Sequence, residues 1–375
     1  MRRVIAPRIQ AWGREIPDGA LEQLEALAAQ PYVVEHVAAM PDLHVAHGIA
    51  VGSVFATLDT VVPSALGGDL GCGMSAVRFD FPAARLGTAQ LQRLLEAMTK
   101  EIPVGDATHR GKGVAFIDDT PLSTHALEKE RARLAPKHLG TLGGGNHFIE
   151  LDRGGGGDLW LLVHSGSRGL GSAIAAHHLR AAQVEGEGSL PGLRVESAAG
   201  QMCLADLEWA FSFARANRRE LLRRATELVV ALTGQEPDPS SHLDVHHNFV
   251  RAEHHFGRLL LVHRKGAISA EAGERALIPG SMGTASYIVE GLGAADSFRS
   301  ASHGAGRVMT RKEAHQQIRA ERFLQSMRRV VFDQRKRGLI EEAPAAYRDI
   351  GEVLEDESDL VVPRVRLEPI AVLKG

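Results

Sequence analysis

The sequence predicts a complex α/β fold, an α+β arrangement in which mixed β-sheets are flanked by helices. Strand-like and helix-like segments are mixed along the chain without a regular β-α alternation, which argues against a simple doubly wound sheet. The longest helical pattern covers residues 203–232 and predicts a long helical hairpin or excursion at about residues 195–240. No internal repeat or long linker divides the 375 residues, so we expect one domain over residues 1–375.

The other elements are predicted from local patterns. Strands are expected where β-branched residues cluster or apolar and polar residues alternate, at residues 48–57, 74–81, 159–163, 258–262, 287–290 and 365–373. Helices are expected at residues 19–29, 88–102, 123–139 and, with a basic composition, 311–337. Residues 40–44 are expected to form a turn. The long helical pattern also carries a basic face, which is more often solvated than RNA-binding: Arg215, Arg218, Arg219, Arg223 and Arg224.

Composition excludes several classes of protein. No run of about eighteen apolar residues is present, so no membrane-spanning helix is expected. Cys72 and Cys203 are too few for a disulfide framework, which fits the cytoplasm. The net charge of −3 argues against a protein that coats nucleic acid by bulk electrostatics. The 18 histidines suggest metal binding or acid–base chemistry, although histidine-rich surfaces also occur without a function.

Cys72 lies in a glycine-rich loop between two predicted strands. Asp69 precedes it by three residues, and glycines flank both side chains. Glycine permits backbone approaches that a Cβ atom would block, so the thiol and the carboxylate can both face one small object. A buried structural thiol, a nucleophilic thiolate and a metal ligand all fit this pattern.

Polar residues next to predicted strands form a mixed set of sulfur, nitrogen and oxygen ligands. Each alone is more often structural, but together they suit Mn²⁺, Fe²⁺ or Zn²⁺: Asp69, Cys72, His147, His164 and His247. No C-x₂-C pair occurs, so a zinc finger is excluded. A scattered set of this kind favours a catalytic metal site over a structural one.

Two glycine-containing segments have the composition of phosphate-binding loops. Residues 164–169 (HSGSRG) and 303–307 (HGAGR) each combine glycine amides with an arginine, Arg168 or Arg307. Neither is a Walker A loop, and neither has the full Rossmann glycine pattern. Tight turns at strand ends would explain the glycines but not the arginines.

From Met40 to its last residue the chain resembles the RtcB family of RNA ligases. The similarity rests on many short motifs in order: PDLH at 41–44, DLGCG at 69–73, LGGGNHF at 142–148, HSGSRG at 164–169, HHN at 246–248, RKGA at 264–267, PGSMG at 279–283, SHGAGR at 302–307 and the terminal KG. Any one of them would be weak evidence. Together they make a specific match.

The resemblance implies an RtcB-like fold and an RNA ligase that uses GTP and two Mn²⁺ ions. Such an enzyme joins an RNA end with a 3′-phosphate or 2′,3′-cyclic phosphate to a 5′-hydroxyl end, in RNA repair or tRNA splicing. A histidine attacks the α-phosphate of GTP, the guanylate passes to the RNA 3′-phosphate, and the 5′-hydroxyl displaces GMP. By the same resemblance the nucleophile is His303 and Asp42 orients it.

The resemblance also implies roles for the remaining motif residues. Cys72 would bridge the two ions, with Asp69 and His147 on one ion and His164 and His247 on the other. The guanylate pocket would comprise Asn146, Glu150, Ser281, Ser286, Ala305, Gly306, Tyr347 and Lys374. The phosphate or RNA contacts would be Arg168, Arg307 and Arg311. The other histidines, His246, His254 and His255, are interpreted as structural or surface residues.

The expected partners are RNA ends and an archease-type activator as a candidate, with no membrane partner and a monomeric chain. Two alternative functions are compatible with the same residues. A metal-dependent phosphodiesterase or phosphatase would use the metal centre without guanylylation, and an RNA-binding repair accessory would have lost catalysis. The completeness of the predicted ligand set argues against the accessory.

Overall fold

The computed structural model describes residues 2–110, 118–186, 188–333 and 337–375. Within these ranges the chain forms eight α-helices: α1 (Asp18–Ala28), α2 (Thr88–Glu101), α3 (His125–His138), α4 (Arg168–Glu185), α5 (Ala198–Thr233), α6 (Arg311–Gln317), α7 (Ala320–Ser326) and α8 (Ile350–Asp356). None of the helices in these ranges is both long enough and apolar enough to cross a membrane.

The same ranges contain seventeen strands. They are β1 (Arg3–Ala6), β2 (Ile9–Ala11), β3 (Val34–His44), β4 (Val51–Thr57), β5 (Thr60–Val61), β6 (Gly73–Pro82), β7 (Phe148–Gly154), β8 (Asp158–Ser165), β9 (Leu193–Arg194), β10 (Pro237–His246), β11 (Asn248–His255), β12 (Arg258–Lys265), β13 (Ala267–Ser269), β14 (Arg275–Ile278), β15 (Ser286–Gly291), β16 (Ser300–Ser302) and β17 (Val361–Lys374).

Two large sheets organise the strands. One has the order β1-β2-β3-β4-β12-β11, and the other has the order β10-β6-β8-β7-β17-β15-β14. The pairing is antiparallel except between β2 and β3. The predicted α/β class, with mixed sheets and flanking helices, is confirmed.

The long helix predicted in the middle of the chain is present as one continuous helix, α5. Its apolar side chains pack with those of β6 and β8 in one buried cluster, which includes Leu221, Ala225 and Val229. Gly234 ends the helix with φ of 70°, a left-handed conformation that glycine adopts without steric cost.

The basic face of α5 is not uniformly solvated, which corrects the sequence-based interpretation. Arg218 is fully buried, and its guanidinium donates to both carboxylate oxygens of Asp244 at 2.7 and 2.9 Å. It also donates to the carbonyls of Gly71 and Ser165. Through these two carbonyls Arg218 connects the loop before Cys72 to the end of β8. Helical periodicity in the sequence cannot reveal such a structural role.

Residues 40–44 are not a turn, so that prediction is wrong. They form the end of β3, although a proline usually interrupts a strand. Pro41 is tolerated because the pairing of β3 with β4 shifts register between Ala39 and His44, where no ladder hydrogen bond from residue 41 is needed. The strand conformation carries Asp42 into the interior of the protein, where it is fully buried.

The single helix predicted over residues 311–337 is also wrong within the described residues, and residues 334–336 lie outside them. The chain instead forms α6 and α7, separated by the extended residues Ile318 and Arg319. Buried apolar side chains occur at Ala314, Ile318, Phe323 and Met327. The five-residue step from Ile318 to Phe323 does not stay on one helical face, so two short helices bury these side chains better than one.

Candidate active site

Four neighbouring strands bring the predicted metal ligands together. In the second sheet the order is β10-β6-β8-β7, and Met74 of β6 and Phe148 of β7 both pair with His164 of β8. On the other side Gly73 pairs with His246 of β10. Three of these paired residues are chain neighbours of further candidate ligands. Gly73 follows Cys72, Phe148 follows His147, and His246 precedes His247. The His247 amide also donates to the Cys72 carbonyl at 2.9 Å.

The five side chains form two groups that share Cys72. One group contains Asp69, Cys72 and His147, and the other contains Cys72, His164 and His247. Sγ of Cys72 lies 3.4 Å from Nε2 of His147 and 3.3 Å from Nε2 of His164. Nε2 of His147 lies 2.9 Å from the Asp69 carboxylate, and the Nε2 atoms of His164 and His247 are 3.1 Å apart. Both predicted triads are therefore assembled.

Backbone carbonyls orient two of the imidazoles. Nδ1 of His147 donates to the Leu142 carbonyl at 2.9 Å, and Nδ1 of His164 donates to the Asn146 carbonyl at 3.1 Å. Nε2 of each ring is thereby directed at Cys72, at 3.4 and 3.3 Å from Sγ. An outer hydrogen bond that fixes the tautomer is typical of metal-binding histidines.

The electrostatics of the cluster also suit cations. Burial lowers the pKa of His164 and His247 well below the usual value, so both rings are neutral and offer lone pairs. Burial opposes ionisation of Asp69, but the His147 hydrogen bond outweighs it and lowers the pKa of Asp69 to about 2. Burial and the Asp69 charge raise the pKa of the Cys72 thiol well above its usual range, a cost that a bound cation would offset. Each of the two groups could therefore hold a metal ion.

His303 follows β16 and stands beside this cluster. Its ring centroid lies 4.8 Å from that of His247. Nδ1 of His303 is 2.6 Å from Oδ2 of Asp42, and the same oxygen accepts the His303 backbone N–H at 3.1 Å. The Asp42 carboxylate thus lies at ion-pair distance from Nδ1 of His303, on one edge of the ring, and Nε2 is the other ring nitrogen.

Gly306 allows this close approach between β3 and the loop after β16. Its φ is 71°, and a Cβ atom at this position would lie 2.5 Å from the Asp42 carbonyl oxygen. Any other residue would push the loop away from Asp42 or strain the backbone.

A pocket of about 240 Å³ opens from His303 and His164. All eight residues predicted for the guanylate pocket line it: Asn146, Glu150, Ser281, Ser286, Ala305, Gly306, Tyr347 and Lys374. At its inner part Glu150 is buried, and its Oε1 has no hydrogen-bond partner among the described residues. Burial and the neighbouring Asp152 raise the pKa of Glu150 well above its usual value.

Comparison with known proteins decides the family. The sequence profile of "tRNA-splicing ligase RtcB" matches residues 23–122 and 115–375. "RNA-splicing ligase RtcB1" of Escherichia coli ATCC 25922 is 36% identical over 98% of this chain and 97% of its own length. The chain belongs to the RtcB family. The K12 strain of E. coli has an "RNA-splicing ligase RtcB" that is 35% identical over the same shares of both chains. A "tRNA-splicing ligase RtcB" of Thermococcus kodakarensis is 28% identical over 96% of this chain and 91% of its own length.

This RtcB protein also has a buried carboxylate in the pocket that the sequence did not reveal. Glu342 accepts from Lys374 Nζ at 3.1 Å and from the Tyr347 hydroxyl at 2.6 Å. It also faces a guanidinium nitrogen of Arg307 at 3.3 Å. Burial opposes its ionisation, yet Lys374 and Tyr347 lower its pKa overall. Glu342 ends the short 3₁₀ helix Arg337–Glu342 and belongs to none of the RtcB motifs, so no sequence signal indicated it.

The three arginines predicted to contact phosphates occupy different places in the RtcB structure. Arg307 and Arg311 line the pocket, and the Arg307 guanidinium lies 5.0 Å from the centre of the Tyr347 ring. Arg168 does not line it. Instead Arg168 begins α4 beside the metal-ligand cluster, where its charge helps to lower the pKa of Asp69.

The histidines predicted to be structural or surface residues lie outside the pocket. His246 donates to the Gly71 carbonyl at 2.7 Å, and His255 lies 2.9 Å from Glu253 and is buried. His254 is exposed on β11.

Proposed function

We propose that this protein is a GTP- and Mn²⁺-dependent RNA ligase, which joins a 3′-phosphate or 2′,3′-cyclic-phosphate end to a 5′-hydroxyl end. One observation carries the proposal: a single pocket contains a histidine with an oriented imidazole, borders two metal-ligand groups and is lined by all eight predicted guanylate contacts. The names of the RtcB relatives, which describe RNA-splicing and tRNA-splicing ligases, support the substrate class.

His303 is the proposed nucleophile. With the Asp42 carboxylate against Nδ1, Nε2 attacks the α-phosphorus of GTP, the bond to pyrophosphate breaks, and a phosphoramidate to GMP forms. Asp42 holds the ring in one tautomer and stabilises the positive charge that develops on the imidazole. The same bond is then broken when the RNA 3′-phosphate takes the guanylate. The 5′-hydroxyl finally displaces GMP and closes the phosphodiester.

The metal ions would be held by the two groups that share Cys72. Asp69, Cys72 and His147 would hold one ion, and Cys72, His164 and His247 the other. When bound, such ions offset the charge of the phosphates as pyrophosphate leaves. The combination of carboxylate, imidazole and thiolate is compatible with Mn²⁺, although Fe²⁺ and Zn²⁺ use the same ligand types.

The guanine base is proposed to lie against Glu150, Lys374 and Tyr347. Guanine presents N–H donors on one edge and a carbonyl acceptor beside them. The unpartnered Glu150 Oε1 can accept from those N–H groups, and the Lys374 ammonium can donate to the carbonyl. The half-buried Tyr347 ring can stack on the base. A buried acceptor without a partner costs free energy, so pairing with guanine would stabilise the complex.

Covalent labelling tests this proposal. Wild-type protein incubated with α-³²P-labelled GTP and Mn²⁺ should retain label through a denaturing gel, and His303→Ala should retain none. His254→Ala is the matched control, because His254 is exposed on β11 outside the pocket. Unlabelled wild type, or label that persists in His303→Ala, would contradict the ligase mechanism. Unlabelled wild type that still removes RNA phosphates would favour the phosphodiesterase alternative.

A further inference from the structure

The pocket that opens from His303 and His164 is called the nucleotide pocket below. A second, larger cleft adjoins it. It has a volume of about 1180 Å³ and is bounded by α7, by the segment that follows α7, and by β7, β15 and β17. An adjoining depression of about 310 Å³ extends it along the turn between β7 and β8, and both are lined by Arg153, Arg366 and Glu368. We call the two together the arginine groove.

The arginine groove is strongly positive in a chain whose net charge is −3. Two carboxylates line it, Asp349 and Glu368, and they are outnumbered by five arginines: Arg153, Arg322, Arg328, Arg329 and Arg366. The groove therefore has an excess of three positive charges. A local excess of positive charge on a chain with a net negative charge attracts an anionic partner to this surface.

Three of these arginines have no charged partner among the residues that the structure describes. Arg153 and Arg366 both pair with Glu368. By contrast Arg322, Arg328 and Arg329 are exposed and form no ion pair with any residue that the structure describes. Fixed like charges on one short segment repel each other, so an anion that bridges them would be bound favourably.

The groove and the nucleotide pocket share a wall. Ser281 and Ser286 face the nucleotide pocket, whereas Gly283, Thr284 and Ala285 of the same turn face the groove. On the opposite side Glu342 lines the pocket and the next residue, Ala343, lines the groove. An RNA strand whose end lies in the nucleotide pocket is therefore separated from the groove by this shared wall alone.

We propose that the arginine groove binds the phosphodiester backbone of the RNA substrate at nucleotides remote from the reacting end. Guanidinium groups bind phosphate oxygens through paired N–H donors, and the exposed side-chain amides of Gln317 and Gln325 offer donors to ribose and phosphate. The proposed contacts are to phosphate and ribose and not to base edges, so they raise the affinity for RNA without sequence preference. The inference rests on the proposed RNA ligase function and extends it to the path of the substrate.

The test compares two triple variants of the full-length protein. Arg322→Gln/Arg328→Gln/Arg329→Gln removes the unpaired charges of the groove. Arg85→Gln/Arg93→Gln/Arg180→Gln removes the same charge from exposed positions that do not line it. Binding is measured with a fluorescent single-stranded RNA of about 20 nucleotides over a range of salt concentrations.

The groove variant should bind this RNA about tenfold more weakly at low salt, with a slope of log affinity against log salt reduced by about 2, because each phosphate contact contributes about 0.7 to the slope. The control variant should stay close to wild type. Both variants should incorporate guanylate at the wild-type rate. An RNA of two or three nucleotides, too short to reach the groove, should be ligated equally by both.

Two outcomes would overturn the inference. RNA affinity and salt slope equal to those of wild type in both triple variants would show that the groove is not the RNA path, and an acidic protein would become the better candidate ligand. Equal losses in both variants would show that only the total charge matters. Failure of the ligase proposal itself is distinguishable, because wild type would then incorporate no guanylate.

Discussion

The two ends of the nucleotide pocket are built in different ways. At the metal end, which contains the candidate metal ligands, His164 lies on β8 and three further ligands adjoin the ends of neighbouring strands, so the sheet register fixes their positions: Cys72, His147 and His247. The other end, where guanine is proposed to bind, is called the guanine end. There Glu342 and Tyr347 come from a segment of short helices and 3₁₀ turns between β16 and α8. Lys374 joins them from the last residue of β17.

The two ends also differ in how their polar atoms are satisfied. At the guanine end Glu342 already binds Lys374 and Tyr347, so these groups are paired without any ligand. At the metal end, imidazole nitrogens converge on a buried thiol, an arrangement that a cation stabilises. We therefore expect changes at the metal end to abolish the site and changes at the guanine end to weaken it by degrees.

The largest effect is expected for Cys72→Ala. Cys72 belongs to both ligand groups, so its loss should lower bound Mn²⁺ from about two ions per chain to less than one and reduce guanylylation at least about 100-fold. Metal content measured by mass spectrometry on the purified protein checks the first expectation. Cys203→Ala is the control, since this thiol is buried in α5 outside either ligand group. A Cys72→Ala protein that is inactive but carries full Mn²⁺ would contradict a ligand role.

A smaller effect is expected for Glu342→Gln. The change removes the charge that holds Lys374 and Tyr347 but keeps the shape of the side chain. The KM for GTP should rise about tenfold, as expected for the loss of charge-assisted hydrogen bonds, whereas Mn²⁺ content should not change. Glu341→Gln, the neighbouring and less buried carboxylate, should leave KM near the wild-type value. Loss of Mn²⁺ from Glu342→Gln would contradict the expectation that a change at the guanine end leaves the metal end intact.

The same difference explains what could be predicted from sequence. His147, His164 and His247 stand beside strands in motifs, and residues beside adjacent strands meet when the sheet forms. Glu342 was missed because its segment has no motif and no regular periodicity. The one helix predicted over residues 311–337 failed in that same segment, where tertiary packing of Ile318 and Phe323 overrides local helical preference. Asp42 was recognised by motif, but its strand conformation depends on a register shift that no local pattern encodes.

The smallest effect is expected for substitution of Glu357, whose side chain contacts the end of β16 just before His303. It is fully buried and accepts from the backbone N–H of Ser302 at 2.9 Å and from its hydroxyl at 2.7 Å, one residue before His303. Burial raises the pKa of Glu357 to about 8, despite the opposing effect of the Ser302 hydrogen bonds. A glutamine can accept both hydrogen bonds, so Glu357→Gln should change guanylylation by no more than about twofold.

Stability should respond to the same substitution through pH. The folded protein keeps a proton on Glu357 up to about pH 8, whereas the unfolded chain releases it near its ordinary pKa of about 4.5. Raising the pH between these values therefore favours the unfolded chain, and this carboxyl should lower the free energy of unfolding by up to about 1.4 kcal/mol per pH unit. Glu357→Gln should remove that slope, so the variant should gain stability relative to wild type between pH 5 and pH 8 in urea denaturation. Glu355→Gln, at an exposed position near the end of α8, should follow wild type. Parallel pH curves for wild type and Glu357→Gln would mean that Glu357 is ionised in the folded protein, and that the support behind His303 is charged rather than neutral.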